Sequence, residues 1–517
     1  MSPQVEAAFA RLPEYLAWHV LLSASALGLG LLISLPLAVA ASRNRHIRWP
    51  VLAGASLIQT IPSLALLALF FPLLLVISAA SEDLIGHGFS ALGFLPALLA
   101  LTLYSMLPIV RNGTTGILSV SPAIIQAAEG VGMTPRQRLF QVELPLAAPV
   151  IMAGVRTAAV WTIGAATLST PVGQTSLGNY IFSGLQTENW VLVLFGCGAS
   201  ALLAMATDQL LGLIEAGAAK RDVKRAAIGA AGILIGIVVA LTPLISFGKP
   251  ASYVVGAKNF SEQYILAEMI AERIEDLGGE ARSKEDLGSA IAYRALASGE
   301  IDVYVDYSGT LWANVLNRED NPGRQAVLEE LTKELAERDG VLVLGSLGFE
   351  NAYALAMRQD RAAELGIETL DDLARRSASL TMGGDLEFFA RPEWRAINEA
   401  YGFDFQARRS FQPTFMFRAV TSGDVDVISA FSSDGRIAAD DLVTLDDPRQ
   451  ALPPYDAVVL IAPDRVNDAR LLAALRPLIG AIPVEAMRDA NYSVDRDVDK
   501  LRPVEAGRAL SRTLGLD

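Results

Sequence analysis

Residues that could do catalytic or metal chemistry are few in this chain. Its 517 residues include three histidines and one cysteine, too few and too scattered for a transition-metal site, and a single cysteine cannot form an intrachain disulfide. Residues 251–517 contain no histidine and no G-x-S-x-G motif, and the whole chain lacks a G-x-x-x-x-G-K-[ST] phosphate-binding loop. The sequence therefore predicts no enzyme, no cofactor, no metal and no ATP site of its own.

A short polar stretch lying between apolar runs carries the first specific signal. It reads "QAAEGVGMTPRQRLFQVELP", from Gln126 to Pro145, and it contains the start and stop signals of two short helices. Ser121 and Pro122 can begin the first helix, and Gly132 can end it in a left-handed conformation.

The second of these helices opens with a capping-box arrangement. Thr134 and Gln137 can bond each other's backbone, and Pro135 suits the first helical position. The helix is predicted to run to Leu144 and Pro145. Its apolar side consists of Leu139, Phe140 and Val142. That side could pack into a groove of another protein; the alternative is a surface helix that merely links two spans.

The two halves of the chain differ in charge. Residues 1–250 carry 13 Lys/Arg and 10 Asp/Glu, whereas the remaining residues carry 29 and 46. The first half is thus a sparsely charged apolar chain and the second an acidic soluble one. An acidic soluble half argues against a nucleic-acid partner, because phosphates would repel it.

Six apolar runs in the first half are each long enough to cross a membrane as a helix. They cover residues 17–41, 51–79, 90–110, 146–170, 190–214 and 226–247. Alternate connections contain the basic residues Arg43, Arg45, Arg48, Arg111, Arg136, Arg138, Lys220, Arg221, Lys224 and Arg225. The other connections, "SEDLIGHG" and "GQTSLGNYIFSGLQTENW", contain no Lys or Arg. Because basic loops stay in the cytoplasm, the stretch over 121–145 is predicted to be cytoplasmic, and everything after residue 248 to lie outside.

The second half alternates short β-rich runs with helical ones. Strands such as "SYVVGA", "IDVYVDY" and "YDAVVLIAP" are separated by helices such as "PGRQAVLEELTKELAERD". This alternation predicts an α/β architecture. The fold class is therefore a multi-domain chain with an all-α membrane domain at 1–248 followed by an α/β domain at 252–517.

The polar stretch resembles the "EAA…G…I-x-LP" cytoplasmic loop of ATP-binding-cassette (ABC) importer permeases. The resemblance implies that this loop docks on a separate ATPase subunit. Its coupling residues would be Gln126, Ala127, Ala128, Gly132, Leu144 and Pro145, with Gln126 standing where the family usually has glutamate. "IQTIPSLALLAL" and "TSLGNYIFSGLQTEN" also resemble the second span and the external gate region of osmoprotectant importers.

The second half resembles the type II solute-binding proteins of glycine-betaine, carnitine and choline importers. The resemblance rests on an ordered set of segments: "AKNFSEQYIL", "SGEIDVYVDYSGTLW", "NAYALAM", "EFFARPEW", "SGDVDVISAFSSDG" and "PPYDAVVLIAP". It implies two lobes, the first formed by 252–354 and 455–517 and the second by about 355–454.

The same resemblance implies a binding site for a quaternary ammonium or zwitterionic solute. Its aromatic faces would be Tyr307, Tyr353, Phe431 and Tyr455, with Phe431 standing where relatives often have tyrosine. The ligand's polar end would be served by Thr310, Arg391 and Lys258, with Asn259 and Gln263 nearby. Asp306 and Glu350 would add carboxylates that favour a cation. Taken singly, each of these residues is as well explained by core packing or a solvated surface; the ordered set favours binding.

These observations predict the membrane subunit of an ABC importer, fused to its own substrate-binding domain. It would capture glycine betaine, choline, carnitine or ergothioneine outside the inner membrane, with 252–517 on the outer face. Its partners would be two copies of a separate ATPase, a second permease copy and membrane lipid. The alternative is a ligand-gated channel or sensor carrying a type II binding domain.

Overall fold

The computed structural model describes residues 3–85, 89, 93–187, 189–246, 253–318, 320–385, 388–411, 413–496 and 499–516. The chain divides into two compact units, one of residues 1–184 with 190–250 and one of residues 251–517 with 185–189. The first is helical and the second holds two β-sheets, as the predicted fold class requires. The predicted domain boundary at 248–252 lies outside the described residues.

The first unit consists of helices. They are α1 (Pro3–Arg43), α2 (Arg45–Thr60), α3 (Ser63–Ile85), α4 (Phe94–Leu118), α5 (Pro122–Gly130), α6 (Pro135–Arg138), α7 (Leu144–Ala166), α8 (Gly178–Gln186), α9 (Trp190–Lys220) and α10 (Val223–Ser246). A π-helical turn, Leu139–Glu143, joins α6 to α7, and a 3-10 helix, Thr167–Val172, follows α7.

Within the described residues, five helical segments are long and apolar enough to cross a membrane. They are Ala8–Arg43, Phe94–Leu118, Pro135–Val172, Trp190–Lys220 and Val223–Leu244. The predicted second span over 51–79 is wrong as a single helix, because α2 ends at Thr60 and α3 begins at Ser63. Pro62 explains the break: a residue before proline is driven out of helical geometry, and Ile61 is extended, with φ −75° and ψ 126°. The start of the predicted third run, 90–92, lies outside the described residues.

The segment from Ser121 to Glu143, here called the foot, follows the capping signals closely. Gly132 has φ 81°, and the capping box between Thr134 and Gln137 is present in both directions. Ser121 precedes α5 but makes no side-chain cap hydrogen bond.

The predicted end of the second foot helix at Pro145 is wrong. The helical run continues through the π-turn into α7, so that Pro135–Val172 forms one segment. In the π-turn the Leu144 N–H bonds to the Leu139 carbonyl, five residues back. A proline normally clashes with the carbonyl four residues before it; the wider π-turn relieves this clash at Pro145.

The second unit alternates strands and helices from β1 to α22. Its first part comprises β1 (Tyr253–Lys258), α11 (Ser261–Asp276), β2 (Ala281–Leu287), α12 (Ser289–Ala297), β3 (Val303–Tyr307), α13 (Ser308–Asn314), α14 (Arg324–Asp339) and β4 (Leu342–Glu350). Its middle part comprises β5 (Tyr353–Arg358), α15 (Gln359–Leu365), α16 (Leu370–Arg376), β6 (Thr381–Asp385), α17 (Pro392–Tyr401), β7 (Ala407–Phe411), α18 (Pro413–Thr421), β8 (Val427–Phe431), α19 (Gly435–Ala439) and β9 (Leu442–Thr444). Its last part comprises β10 (Asp456–Ile461), α20 (Ala469–Leu475), α21 (Val484–Asp495) and α22 (Pro503–Thr513).

The strands form two five-stranded sheets, one in each lobe. The first has the order β2-β1-β3-β10-β4 and the second the order β7-β6-β8-β5-β9. In each sheet the parallel strands sit beside one strand of opposite direction, β10 in the first and β5 in the second. Strand β10 is buried along its whole length, as expected for an apolar run covered by helices on both faces.

The chain crosses from the first sheet to the second after β4 and returns before β10. Tyr353 already belongs to β5 of the second sheet. The first crossover between the sheets is therefore at 351–352, and the lobe bounds given from the sequence stay a prediction. Residue 455, the predicted start of the return, directly precedes β10. The two crossovers lie side by side, because the Asn351 N–H bonds to the Tyr455 carbonyl at 2.9 Å.

Candidate functional site

Three of the four predicted aromatic residues come together where the two lobes meet. Tyr353, the first residue of β5, pairs across the sheet with Phe431, the last residue of β8. Their ring centroids are 4.6 Å apart, and the Tyr455 ring packs edge-on against Tyr353 at 5.9 Å and 82°. We call Tyr353, Phe431 and Tyr455 the three-ring cluster.

The position of the cluster follows from the chain crossovers. Tyr353 comes directly after the first crossover and Tyr455 directly before β10, so both side chains stand at the seam between the lobes. The backbone makes room for Tyr455 at Gly309, where an added Cβ would lie 2.6 Å from the ring carbon Cζ. A larger residue in "YSGTLW" would therefore displace this ring.

The three rings differ in how much of each meets solvent. Phe431 is 36% exposed, whereas Tyr353 is 7% and Tyr455 2% exposed. The two tyrosine rings are covered by protein groups in this conformation, and Phe431 is the most exposed of the three rings.

Arg391 is the protein cation of the cluster. Its guanidinium lies over the Tyr353 ring, with Cζ 5.2 Å from the centroid. It also donates two hydrogen bonds of 3.0 Å to the carboxylate of Glu393. Glu393 in turn accepts a hydrogen bond from the Tyr455 hydroxyl.

Arg391 and Glu393 form a partly buried ion pair in which both side chains are ionised. Burial acts to raise the pKa of Glu393, but the hydrogen bonds from Arg391 and Tyr455 outweigh it and the pKa is lowered. Burial likewise acts to lower the pKa of Arg391, and the Glu393 carboxylate raises it above its usual range. The planar fork of an arginine matches a carboxylate in two places, so the same guanidinium could hold a ligand carboxylate in exchange for Glu393.

Tyr307 belongs to a second, buried group. Its ring is 4% exposed and stacks on Phe260 at 6.1 Å. Its hydroxyl donates to Glu262 and accepts a hydrogen bond of 3.1 Å from Gln263. The Lys258 ammonium lies 5.1 Å from the ring centroid.

The predicted charges of this second group are already paired. The Lys258 ammonium forms an ion pair with Asp306, and both side chains are almost fully buried. Asp306 also accepts a hydrogen bond of 2.6 Å from Tyr304. In this conformation Lys258 and Asp306 neutralise each other's charge.

The remaining predicted positions lie nearer to solvent. Asn259 is exposed in the turn after β1, and Thr310, on α13, is partly exposed. Contact between ligand and any of the predicted site residues stays a prediction.

Sequence reasoning missed the two carboxylates that organise the site. Glu262 is 3% exposed and accepts hydrogen bonds from Asn351 at 3.1 Å and Asn491 at 2.9 Å as well as from Tyr307. Burial raises its pKa. The available signal was position: Glu262 stands inside "NFSEQYIL" and Glu393 two residues after Arg391, within segments already singled out.

We expect Tyr307→Ala to weaken solute binding by about tenfold, which corresponds to about 1.4 kcal/mol. The substitution removes an aromatic face and leaves Glu262 short of one donor. Isothermal calorimetry on a fragment covering 251–517, titrated with glycine betaine, choline and ergothioneine, measures the change. If the variant binds whichever of these solutes the unmodified fragment binds, and with unchanged affinity, Tyr307 does not belong to the binding site.

Asp495, at the end of α21, gives the second unit a predicted pH dependence. Burial raises its pKa from 3.8 to about 7, with Arg436 opposing and Asp434 adding to the shift, while the Ser261 hydroxyl donates to it. Because the folded state holds the proton more tightly than the unfolded state, the contribution of Asp495 to the free energy of unfolding is full below its unfolded pKa of 3.8 and is lost as the pH rises through about 7. We expect Asp495→Asn to raise the Tm at pH 8 by at least ~3 °C and to flatten the fall between pH 5 and 7, whereas Asp489→Asn, on an exposed site of the same helix, should do neither. If Asp495→Asn and the unmodified fragment have the same Tm at pH 8 and the same fall in Tm between pH 5 and 7, this prediction is wrong.

Four of the six predicted coupling residues, in the foot and at the start of α7, are exposed at the surface of the first unit. Gln126 and Ala127 are exposed, Ala128 is buried at 6%, and Gly132 and Pro145 are exposed while Leu144 is partly buried. The most exposed apolar side chains of the foot are Val131 at 75%, Phe140 at 59% and Ile124 at 42%.

Two family descriptions match this chain, one for each half. Residues 30–220 match the binding-protein-dependent transport system inner membrane component. Residues 251–508 match the substrate-binding domain of ABC-type glycine betaine transport systems.

Curated relatives match both the whole chain and its first half. The ergothioneine transport permease/ergothioneine binding protein EgtU of Helicobacter pylori is 30% identical over 93% of this chain and 86% of its own length. The choline transport system permease protein OpuBB of Bacillus subtilis is 40% identical over 38% of this chain and 83% of its own length. The osmoprotectant import permease protein OsmW of Salmonella typhimurium is 42% identical over 37% of this chain and 85% of its own length.

The order of the two halves, the apolar helices and the two-sheet domain agree with these matches along nearly the full chain. The chain belongs to the family of ABC-importer inner-membrane subunits in which the permease and a glycine-betaine-type substrate-binding domain form one polypeptide.

Proposed function

We propose that the second unit captures a small solute with a trialkylated nitrogen and that the permease half passes it inward with work supplied by a separate ATPase. The observation that carries the proposal is the three-ring cluster at the paired crossovers. A solute seated there touches both lobes at once, so binding favours their closure.

The chemistry of the cluster suits a quaternary ammonium group. Such a group has no N–H to donate, and its charge is spread over methyl groups, so aromatic faces hold it at roughly 0.5–2 kcal/mol each. Micromolar affinity needs about −8 kcal/mol. Three faces reach this only if lobe closure also excludes water from the site.

The position of Arg391 favours a zwitterion over a simple cation. Its guanidinium already covers the Tyr353 face, and two cations repel each other on one ring. A ligand carboxylate would draw Arg391 off that face and leave it for the trimethylated nitrogen. We therefore rank ergothioneine, glycine betaine and carnitine, which carry a carboxylate, above choline, which does not. The ergothioneine-binding relative that matches both halves supports the same ranking.

The foot is proposed to receive the ATPase. Its exposed apolar side chains, Val131, Phe140 and Ile124, lie in a stretch whose flanking charges predict a cytoplasmic position. An ATPase docked on the foot would bury these side chains at the core of the interface, where apolar and aromatic residues are enriched. Two copies of the chain would pair, each bound to one of two ATPase subunits.

The second unit is proposed to face the outside of the inner membrane. The absence of Lys and Arg from "GQTSLGNYIFSGLQTENW" and their presence after α9 support this orientation. Fusion to the permease would hold the receptor at an effective concentration of about millimolar. Protease digestion of the second unit in sealed spheroplasts tests the orientation, and full protection there would overturn it.

Two experiments test the proposal as a whole. A thermal-shift screen of fragment 251–517 should give its largest shift with a carboxylate-bearing trimethylammonium compound. Uptake of that compound into proteoliposomes should require both the ATPase and ATP. The alternative of a ligand-gated channel or sensor finds no support in the family matches, and solute flux that persists without nucleotide would restore it.

A further inference from the structure

A buried carboxylate lies at the junction between the foot and the membrane helices. Glu143 is the last residue of the π-turn, and its side chain is 1% exposed. A charge this well buried is costly unless it is paired and hydrogen-bonded. The side chains that pair with Glu143 are therefore needed to keep its carboxylate buried at this junction.

Two arginines from different parts of the chain meet this carboxylate. Arg43, the last residue of α1, donates to both oxygens of Glu143, with Nη1 at 3.1 Å from Oε1. Arg138, the last residue of α6, donates from Nε to Oε1 at 2.8 Å. Arg138 also forms an ion pair with Glu129 of α5. The four residues, here called the Glu143 hub, have no net charge and join three helical segments.

The π-turn brings Arg138 and Glu143 to the same side of the helical run. In an α-helix, residues five apart point about 140° away from each other, since each residue turns about 100°. In a π-turn the backbone hydrogen bond closes on the fifth residue, as it does from Leu144 to Leu139, so residue i+5 returns over residue i. An α-helical path would carry Glu143 away from Arg138.

The hub gives the foot a second connection to the membrane helices. The first connection is the continuous helix from the foot into α7. The second passes from Glu143 to Arg43 and so to the end of α1, which is 100 residues away in sequence. Within the described residues of the first unit, α1 packs against α4, α7 and α10. Movement of the foot would thus reach several helices at once.

We propose that Glu143 is a positioning residue that makes the foot and α1 move as one body, so that force applied to the foot is delivered to α1 as well as to α7. This inference rests on the proposed function, in which a separate ATPase applies that force. Glu143 acts through Arg43 and Arg138 and touches neither solute nor nucleotide.

The test is the amount of solute moved per ATP by the full chain with its partner ATPase in proteoliposomes. Radiolabelled ergothioneine, glycine betaine and choline serve as probes. We expect Glu143→Gln and Arg43→Gln each to lower uptake per ATP hydrolysed at least about fivefold, and the double variant to be no worse than either single one, because both break the same connection. Arg43→Lys, which keeps the charge but loses the planar fork, should fall between wild type and Arg43→Gln.

Arg45→Gln is the matched control. Arg45 lies two residues from Arg43 and is exposed outside the hub, so its substitution should leave uptake per ATP within about twofold of wild type. If Glu143→Gln does not assemble with the ATPase, uptake per ATP by Arg43→Lys is compared with wild type instead. An unchanged ratio in the assembled variants, or additive losses in the double variant, overturns the inference. Wild-type protein that takes up none of the probes with ATP would instead count against the proposed function.

Discussion

Tyr353→Ala is expected to weaken solute binding by about a hundredfold or more, the largest effect in the second unit. Its ring contacts both Phe431 and Tyr455 and supports the Arg391 guanidinium. Loss of one desolvated cation–π face accounts for about 2 kcal/mol, or roughly thirtyfold. The rest comes from the two neighbouring rings and the arginine, which lose the surface that orients them.

Calorimetry on fragment 251–517, with the solute selected by the thermal-shift screen, measures this loss. Tyr353→Phe keeps the ring and should bind within about threefold of wild type. Tyr401→Ala is the matched control for lost packing, since Tyr401 is equally buried at 7% in the second lobe and its hydroxyl bonds to Asp447 instead. Affinity preserved within threefold in a folded Tyr353→Ala fragment would mean that the solute binds elsewhere.

Phe140→Asp is expected to reduce association with the partner ATPase by at least about fiftyfold. Phe140 is 59% exposed on the π-turn of the foot, so the change costs the chain little of its own packing. In a complex the ring would be buried, and replacing a buried aromatic anchor by an unpaired carboxylate commonly costs more than 2 kcal/mol.

Co-purification and titration of the ATPase against the detergent-solubilised chain measure this loss. Phe415→Asp is the matched control, because Phe415 is 50% exposed in the second unit and should leave ATPase binding intact. Equal binding by Phe140→Asp and wild type would remove the π-turn from the docking surface and would leave the apolar side of the foot without an assigned partner.

Several features of the fold follow from local sequence signals. The capping box at Thr134 and Gln137 and the left-handed Gly132 form as predicted, because both depend on residues within one or two turns. The strand and helix alternation also predicts the α/β architecture of the second unit correctly, whereas a division into two lobes was implied only by the family resemblance. In contrast, the apolar run over 51–79 was predicted as one span although it contains Pro62 and Pro72, and the break at Pro62 separates α2 from α3.

Local periodicity is enough to predict a helical first half and an α/β second half. The three rings that come together, Tyr353, Phe431 and Tyr455, were proposed from the family resemblance and its order of motifs. The partners of the buried carboxylates, in contrast, depend on the tertiary structure. Glu262 with Tyr307, Glu393 with Tyr455, and Glu143 with Arg43 are separated by 45, 62 and 100 residues. No local propensity specifies such pairs, because a buried carboxylate is costly without its partner and only the folded chain brings the two together. Each pair forms only after the folding of its own part of the chain has brought the two residues together.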